Sequence, residues 1–151
     1  MKGKTELVPC EICGRPIVRS EHGGYSYCEN CGWRRGGDNE GLERQWGISY
    51  PMLVSLSHAR AQYRQGVPFK ADLDEFVNGA LFYGEMLFDF GGETYEVYLY
   101  RDANGEPYRF VLCGEGIRQE YPTERDFKEK ANIRGKRLKD IWDLVRDPRF
   151  M

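Results

Sequence analysis

Four cysteines near the N-terminus carry the clearest chemistry in this chain of 151 residues. Cys10 and Cys13 form one CxxC pair, Cys28 and Cys31 form a second, and 14 residues separate the two pairs. Two such knuckles joined by a hairpin can place four thiolates at the corners of a tetrahedron, the arrangement that Zn²⁺ favours. The spacing therefore predicts one structural Zn²⁺ bound by Cys10, Cys13, Cys28 and Cys31.

Two other uses of paired cysteines stay open at this point, namely disulfide bonds and a redox-active CxxC. The segment MKGKTELVP lacks the apolar core of a signal peptide, and no apolar run approaches the ~20 residues that span a bilayer. We therefore expect a cytoplasmic protein with no membrane partner, whose reduced thiols favour metal over disulfides. Four thiolates close the shell of the metal, so we expect no ligand role for His22. Cys113 is left over, and we expect it to act as a small apolar residue.

The zinc ribbon predicted for residues 1–69 needs a hairpin between its two knuckles. We expect Pro16–Arg19 to pair with Tyr25–Cys28 across a turn at Gly23-Gly24. Trp33 follows the last cysteine closely, so its indole could cover one side of the metal site. A fold this small buries little apolar surface, so the metal must supply much of its folding free energy.

The remainder of this first half contains one predicted helix. Residues 34–50 are polar and rich in glycine, which predicts an irregular connection. Ser55 is a plausible N-cap, and apolar residues then recur on one helical face until Gly66 ends the helix.

Residues 70–151 are predicted to form a separate α+β domain. Asp72 and Glu75 have the spacing of a capping box at the start of a helix. Four later segments alternate apolar and polar residues, as the strands of an antiparallel meander do. They are Glu85–Phe90, Glu93–Tyr100, Pro107–Leu112 and Ile117–Tyr121.

Two short helices are predicted to close the chain. Thr123 could cap the first, and Gly135 separates it from a second in which apolar residues recur from Leu138 to Val145. Together with the helix after Asp72, these helices can cover the apolar face of the meander. The predicted fold class is therefore α+β, an N-terminal zinc ribbon followed by a small antiparallel meander packed with three short helices.

The charge of the chain is unevenly distributed, although its net value is only −2. Residues 72–106 carry nine acidic side chains against one base, Arg101. Such a local excess points to a cationic partner, and an ordinary solvated surface is the alternative. The strand period places Glu96, Tyr98 and Tyr100 on one face. The candidate partner-binding residues are Glu85, Asp89, Glu93, Glu96, Tyr98 and Tyr100, with Tyr95 and Tyr108 as further aromatic anchors.

Two motifs in the first half carry a family resemblance. Ser26–Trp33 reads SYCENCGW and Val54–Gly66 reads VSLSHARAQYRQG. In this order, the segment Val8–Pro68 resembles the small bacterial cysteine-rich proteins named for their CPCC motif, which often lie near toxin and immunity genes. The resemblance implies a four-cysteine zinc ribbon. Glu11 stands where that family has a proline.

The second half is similar to small bacterial domains that pair an acidic helix, a meander and a terminal helix, here GKRLKDIWDLV over Gly135–Val145. Some of these domains resemble immunity proteins of toxin systems. This resemblance implies a non-enzymatic protein-binding module that neutralises a cognate bacterial toxin. Many such toxins are nucleases with basic clefts, into which an acidic face rich in tyrosine could dock.

Two other function classes were weighed against protein binding. The chain has no GxSxG, HExxH or phosphate-binding glycine motif, and both histidines lie far from Cys113 in sequence, so we predict that it is not an enzyme. Nucleic-acid or regulatory binding by the ribbon is the alternative, because basic and aromatic side chains cluster there. These side chains are Arg15, Arg19, Arg34, Arg35, Tyr25, Tyr27 and Trp33.

Overall fold

The computed structural model describes residues 6–19 and 26–151. Contacts divide the chain into two compact units, Met1–Lys70 (unit 1) and Ala71–Met151 (unit 2). Helices and antiparallel strands occur together, so the predicted α+β class is confirmed. Within the described part of the chain, none of the helices has both the length and the apolarity that crossing a bilayer requires.

Four short strands frame the two cysteine pairs of unit 1. They are β1 (Leu7–Pro9), β2 (Pro16–Val18), β3 (Ser26–Tyr27) and β4 (Arg34–Arg35). The strand β1 pairs antiparallel with β2, and β3 pairs antiparallel with β4. Each CxxC therefore lies at the turn of its own hairpin.

This pairing differs from the hairpin predicted between Pro16–Arg19 and Tyr25–Cys28. In the described ranges, each flanking strand pairs across its own CxxC, because that loop is much shorter than the one joining the knuckles. The predicted turn at Gly23-Gly24 lies outside the described residues.

Two helices follow in unit 1. The first, α1 (Asn39–Trp46), occupies part of the segment predicted to be irregular, and that prediction was wrong. The Asp38 carboxylate accepts a hydrogen bond from the Gly41 N–H, and Gly47 ends the helix with a φ of 68°. The second, α2 (Leu56–Gln65), begins at Ser55 and ends at Gly66, as predicted.

Unit 2 begins with α3 (Leu73–Tyr83), where Asp72 and Glu75 form the predicted capping box. The predicted meander follows as four antiparallel strands. They are β5 (Glu85–Phe90), β6 (Glu93–Arg101), β7 (Pro107–Gly114) and β8 (Ile117–Tyr121).

The chain closes with six short elements. They are α4 (Glu124–Lys130), β9 (Asn132–Ile133), β10 (Lys136–Arg137), α5 (Leu138–Ile141), a 3₁₀ turn (Trp142–Leu144) and β11 (Arg146–Phe150). The strand β11 pairs with β5, so the sheet has five strands in the order β11-β5-β6-β7-β8. The helix predicted to run from Leu138 to Val145 is therefore too long, because Val145 is already extended as the chain returns to the sheet.

One face of this sheet is apolar and lies under the helices. Its buried side chains come from alternate positions of β5, β6 and β7, which is the periodicity of a strand. They are Met86, Phe88, Tyr95, Val97, Phe110 and Leu112. We call the other side of the sheet the polar face.

Candidate metal centre and partner surface

The structure brings the four N-terminal cysteines together. Their sulfur atoms all lie within 4.8 Å of one another. The Sγ atoms of Cys10 and Cys31 are 3.6 Å apart, and those of Cys13 and Cys28 are 3.5 Å apart. A tetrahedral ion with sulfur ligands at the usual distance separates its sulfurs by about 3.8 Å. All four thiols are free, and the cluster can hold a metal ion.

The two knuckles have the same backbone hydrogen bonds. In the first, the Cys10 N–H donates to the Arg15 carbonyl at 2.8 Å and the Gly14 N–H donates to the Cys10 carbonyl at 3.0 Å. In the second knuckle, the Cys28 N–H donates to the Trp33 carbonyl and the Gly32 N–H donates to the Cys28 carbonyl. Gly14 and Gly32 have positive φ values, 80° and 83°, which let the backbone of each knuckle turn back behind its sulfurs.

The thiols of Cys10, Cys13 and Cys31 have pKa values shifted in different directions. Burial raises the pKa of the Cys10 and Cys31 thiols, and neighbouring thiols raise that of Cys31 further. For Cys13, burial also raises the pKa, but hydrogen bonds from the Arg15 N–H and the Asn30 side chain outweigh it and lower the pKa to about 6. Metal binding must therefore displace protons from Cys10 and Cys31 at neutral pH.

We expect the affinity for Zn²⁺ to rise steeply with pH. Metal ligation requires thiolates, whereas the raised pKa values keep Cys10 and Cys31 protonated at neutral pH. At least two protons then leave on binding, so the affinity should rise roughly a hundredfold for each pH unit from about pH 6 to 8. Competition with a chelating dye measures this dependence. An affinity independent of pH would contradict ligation by the thiolates.

Trp33 is fully buried, at 0% exposure, and its ring packs edge-on against Phe69 at 5.3 Å. It therefore cannot stack on a nucleic-acid base, which corrects one of the contacts predicted for the ribbon. Tyr27 is 56% exposed and stays available for such a contact. Tyr25 and His22 lie outside the described residues.

Five of the six predicted partner-binding residues lie on the polar face. Glu85 is directly opposite Tyr98 in the register of β5 and β6. Glu96, Tyr98 and Tyr100 alternate along β6 with the buried Val97 and the half-buried Leu99. Asp89 lies two pleats along β5 from Glu85, on the same face.

Glu93 lies on the other face. Glu93 and Tyr95 are two residues apart on β6, so their side chains point to the same side of the sheet. Glu93 accepts a hydrogen bond from the Tyr95 hydroxyl at 2.9 Å and pairs with Arg134 at 3.6 Å. Tyr95 itself is 2% exposed and stacks on Phe88 at 5.4 Å. The anchor role predicted for Tyr95 is therefore wrong, because its strand position points it into the core.

Three tyrosine rings form a contiguous group at one end of the sheet, which we call the tyrosine cluster (Tyr98, Tyr100 and Tyr108). The ring centroids of Tyr98 and Tyr100 are 5.6 Å apart, and those of Tyr100 and Tyr108 are 6.2 Å apart. Arg118 donates to the hydroxyls of Tyr98 at 2.6 Å and Tyr100 at 3.3 Å. Sequence reasoning missed Arg118, because β8 meets β6 only across the intervening strand β7.

The structure neutralises part of the acidic segment. Arg149 of β11 pairs with Asp89 at 3.3 Å, and β11 is the strand that sequence patterns did not predict. In the part of the chain that the structure describes, Glu85 and Glu96 make no ion pair. Glu85 and Glu96, the two without an ion pair, lie next to Tyr98, whose hydroxyl accepts a hydrogen bond from Arg118.

A cleft of about 890 Å³ lies between α3, α4 and α5. Several of its charged groups pair with one another: Lys128 pairs with Asp74 and Glu124, and Lys139 pairs with Glu129. The described side chains that line the cleft include no histidine or cysteine.

No protein-family model, curated protein or solved structure matches this chain. The resemblances to CPCC-type proteins and to immunity proteins therefore stay predictions.

Proposed function

We propose that Cys10, Cys13, Cys28 and Cys31 hold one Zn²⁺ with a structural role. Four converging sulfurs are the donor set of structural zinc sites, and this closed shell leaves no position for water or substrate. The strands of unit 1 are only two or three residues long, so the ion supplies folding free energy rather than chemistry.

Unit 2 is, in this proposal, a non-enzymatic protein-binding module whose partner is a cognate bacterial toxin. The observation that carries the proposal is the tyrosine cluster, in which Tyr100 is 37% and Tyr108 is 48% exposed. Tyrosine and arginine are enriched at the energetic centres of protein interfaces, where rigid rings bury area at little entropic cost. Arg118 restrains two of these rings by donating to the hydroxyls of Tyr98 and Tyr100, and it is itself an arginine beside the cluster.

The charges around the tyrosine cluster favour a basic partner. Glu85 and Glu96 flank Tyr98 and make no ion pair among the described residues. Together with Glu120, which pairs with both Arg109 and Arg118, these carboxylates outnumber the two arginines by one. A partner that presents lysine and arginine side chains would form ion pairs with the unpaired carboxylates. The basic cleft of a nuclease toxin has this chemistry.

The test uses the purified product of the reading frame adjacent to this gene as the probe. We expect stoichiometric binding in calorimetry, and Tyr98→Ala should weaken it by about 2 kcal/mol, roughly thirtyfold. Tyr27→Ala, which removes an exposed tyrosine of unit 1, is the matched control and should leave the affinity unchanged. If the Tyr98→Ala variant binds as tightly as wild type, the tyrosine cluster is not the binding surface. Binding of random single-stranded DNA, lost in Tyr27→Ala, would instead support the nucleic-acid alternative.

A further inference from the structure

Glu11, between the cysteines of the first knuckle, has a buried side chain with only 10% exposure. Its Oε2 atom accepts hydrogen bonds from the Trp33 indole N–H at 2.9 Å and from the Asn39 side-chain amide at 3.1 Å. Its Oε1 atom lies 3.3 Å from Nε of Arg35. One carboxylate therefore meets three donors from a distant part of the chain.

These donors connect Glu11 to the segment that follows the second knuckle and to α1. Trp33 and Arg35 directly follow the second knuckle, and Asn39 is the first residue of α1. The Glu11 backbone carbonyl also accepts a hydrogen bond from Nε of Arg60 on α2, at 2.9 Å. Glu11 thus ties the first knuckle to the second knuckle and to both helices without using the metal.

The second knuckle provides an internal comparison. Glu29 follows Cys28 just as Glu11 follows Cys10, and the two knuckles share their backbone hydrogen bonds. Glu29 is nevertheless exposed, and among the described residues it makes no hydrogen bond or ion pair. Two glutamates at the same position of the pattern CExCG therefore differ in their long-range contacts.

We propose that Glu11 is the positioning residue of the metal site, with contacts that favour the fold in which the two knuckles bring their four sulfurs together around the ion. The inference rests on the proposed zinc site. Partners beyond the ligands themselves commonly change metal affinity by 10–100-fold, because they fix the ligands in place. Contacts that favour the fold in which the ligands converge lower the ordering cost that metal binding must otherwise meet.

The charge of Glu11, taken alone, predicts that removing the carboxylate would increase the affinity for Zn²⁺. Zinc bound by four thiolates carries a net charge of −2, so a nearby carboxylate repels the loaded site. Removing that charge would raise the affinity if electrostatics dominated. A loss of affinity in a Glu11 variant would therefore report the lost contacts.

The experiment measures Zn²⁺ affinity by competition with a chelating dye in the full chain. Glu11→Ala should lower the affinity about 10–100-fold, and Glu11→Gln should lower it less, because an amide oxygen still accepts from the indole. Glu29→Ala and Glu29→Gln should change it less than about threefold. At saturation, the Co²⁺ spectrum of all variants should show the same tetrahedral thiolate site, which separates a positioning role from a change of ligands.

Each outcome has a distinct meaning. Equal affinities for the Glu11 and Glu29 variants, or a gain in Glu11→Gln, would overturn the positioning role while leaving the zinc site intact. A wild-type chain that binds no Zn²⁺ would overturn the proposed site itself. If Glu11→Ala stays unfolded at saturating Zn²⁺, the same-sized Glu11→Gln decides the question.

Discussion

Replacing Cys28 by serine should release the metal and unfold unit 1 while unit 2 keeps its sheet and helices. Cys28 is 1% exposed and its sulfur lies 3.5 Å from that of Cys13, and among the described residues the group of possible metal ligands at this place consists of the four cysteines alone. Structural zinc supplies on the order of 10 kcal/mol to small zinc-binding folds. The short strands of unit 1 bury too little apolar surface to offset such a loss.

Elemental analysis and hydrogen exchange together measure this effect. Wild-type protein should contain one equivalent of zinc and the Cys28→Ser variant none, and the amides of α2 should lose protection while those of β5–β7 keep it. Cys113→Ser is the control, because Cys113 is half-buried in the sheet of unit 2 and should leave the zinc content unchanged. A Cys28→Ser protein that is zinc-free yet protected throughout unit 1 would refute the structural role.

Features specified by neighbouring residues could be predicted from the sequence. The start of α2 at Ser55 and the capping box of Asp72 and Glu75 depend on residues three positions apart. The strands β5 to β8 follow from period-two alternation and two glycine turns. The two cysteine knuckles belong to the same class, because each CxxC and its following glycine fold locally.

Features specified by distant residues could not be predicted. The strand β11 has no alternating pattern, contains a bulge with Asp147 at a φ of 49°, and pairs with a strand about sixty residues earlier. Its Arg149 changes the charge around Asp89, so the acidic segment overstated the charge of the polar face. The same limit applies to Glu11, whose local sequence matches that of the exposed Glu29.

Replacing Phe88 by alanine should destabilise unit 2 by about 3–5 kcal/mol. Phe88 is 0% exposed, and its ring lies within 6 Å of three others. The centroid distances are 5.6 Å to Phe76 of α3, 5.4 Å to Tyr95 of β6 and 5.9 Å to Trp142. The cavity would thus remove contacts from a helix, two strands and the 3₁₀ turn together, and a loss of this size is a large share of the stability of a small domain.

The Trp142 indole is a specific probe of this change, because its N–H donates to the Ala71 carbonyl inside unit 2 at 2.9 Å. Urea unfolding followed through the indole resonance should show a lower midpoint in Phe88→Ala than in wild type. Phe82→Ala, which removes a ring that is 39% exposed on α3, should cost roughly 1 kcal/mol or less. Equal midpoints for the two variants would mean that the ring cluster is not the core of unit 2. An unchanged zinc content in Phe88→Ala would in turn indicate that the metal centre of unit 1 forms without that core.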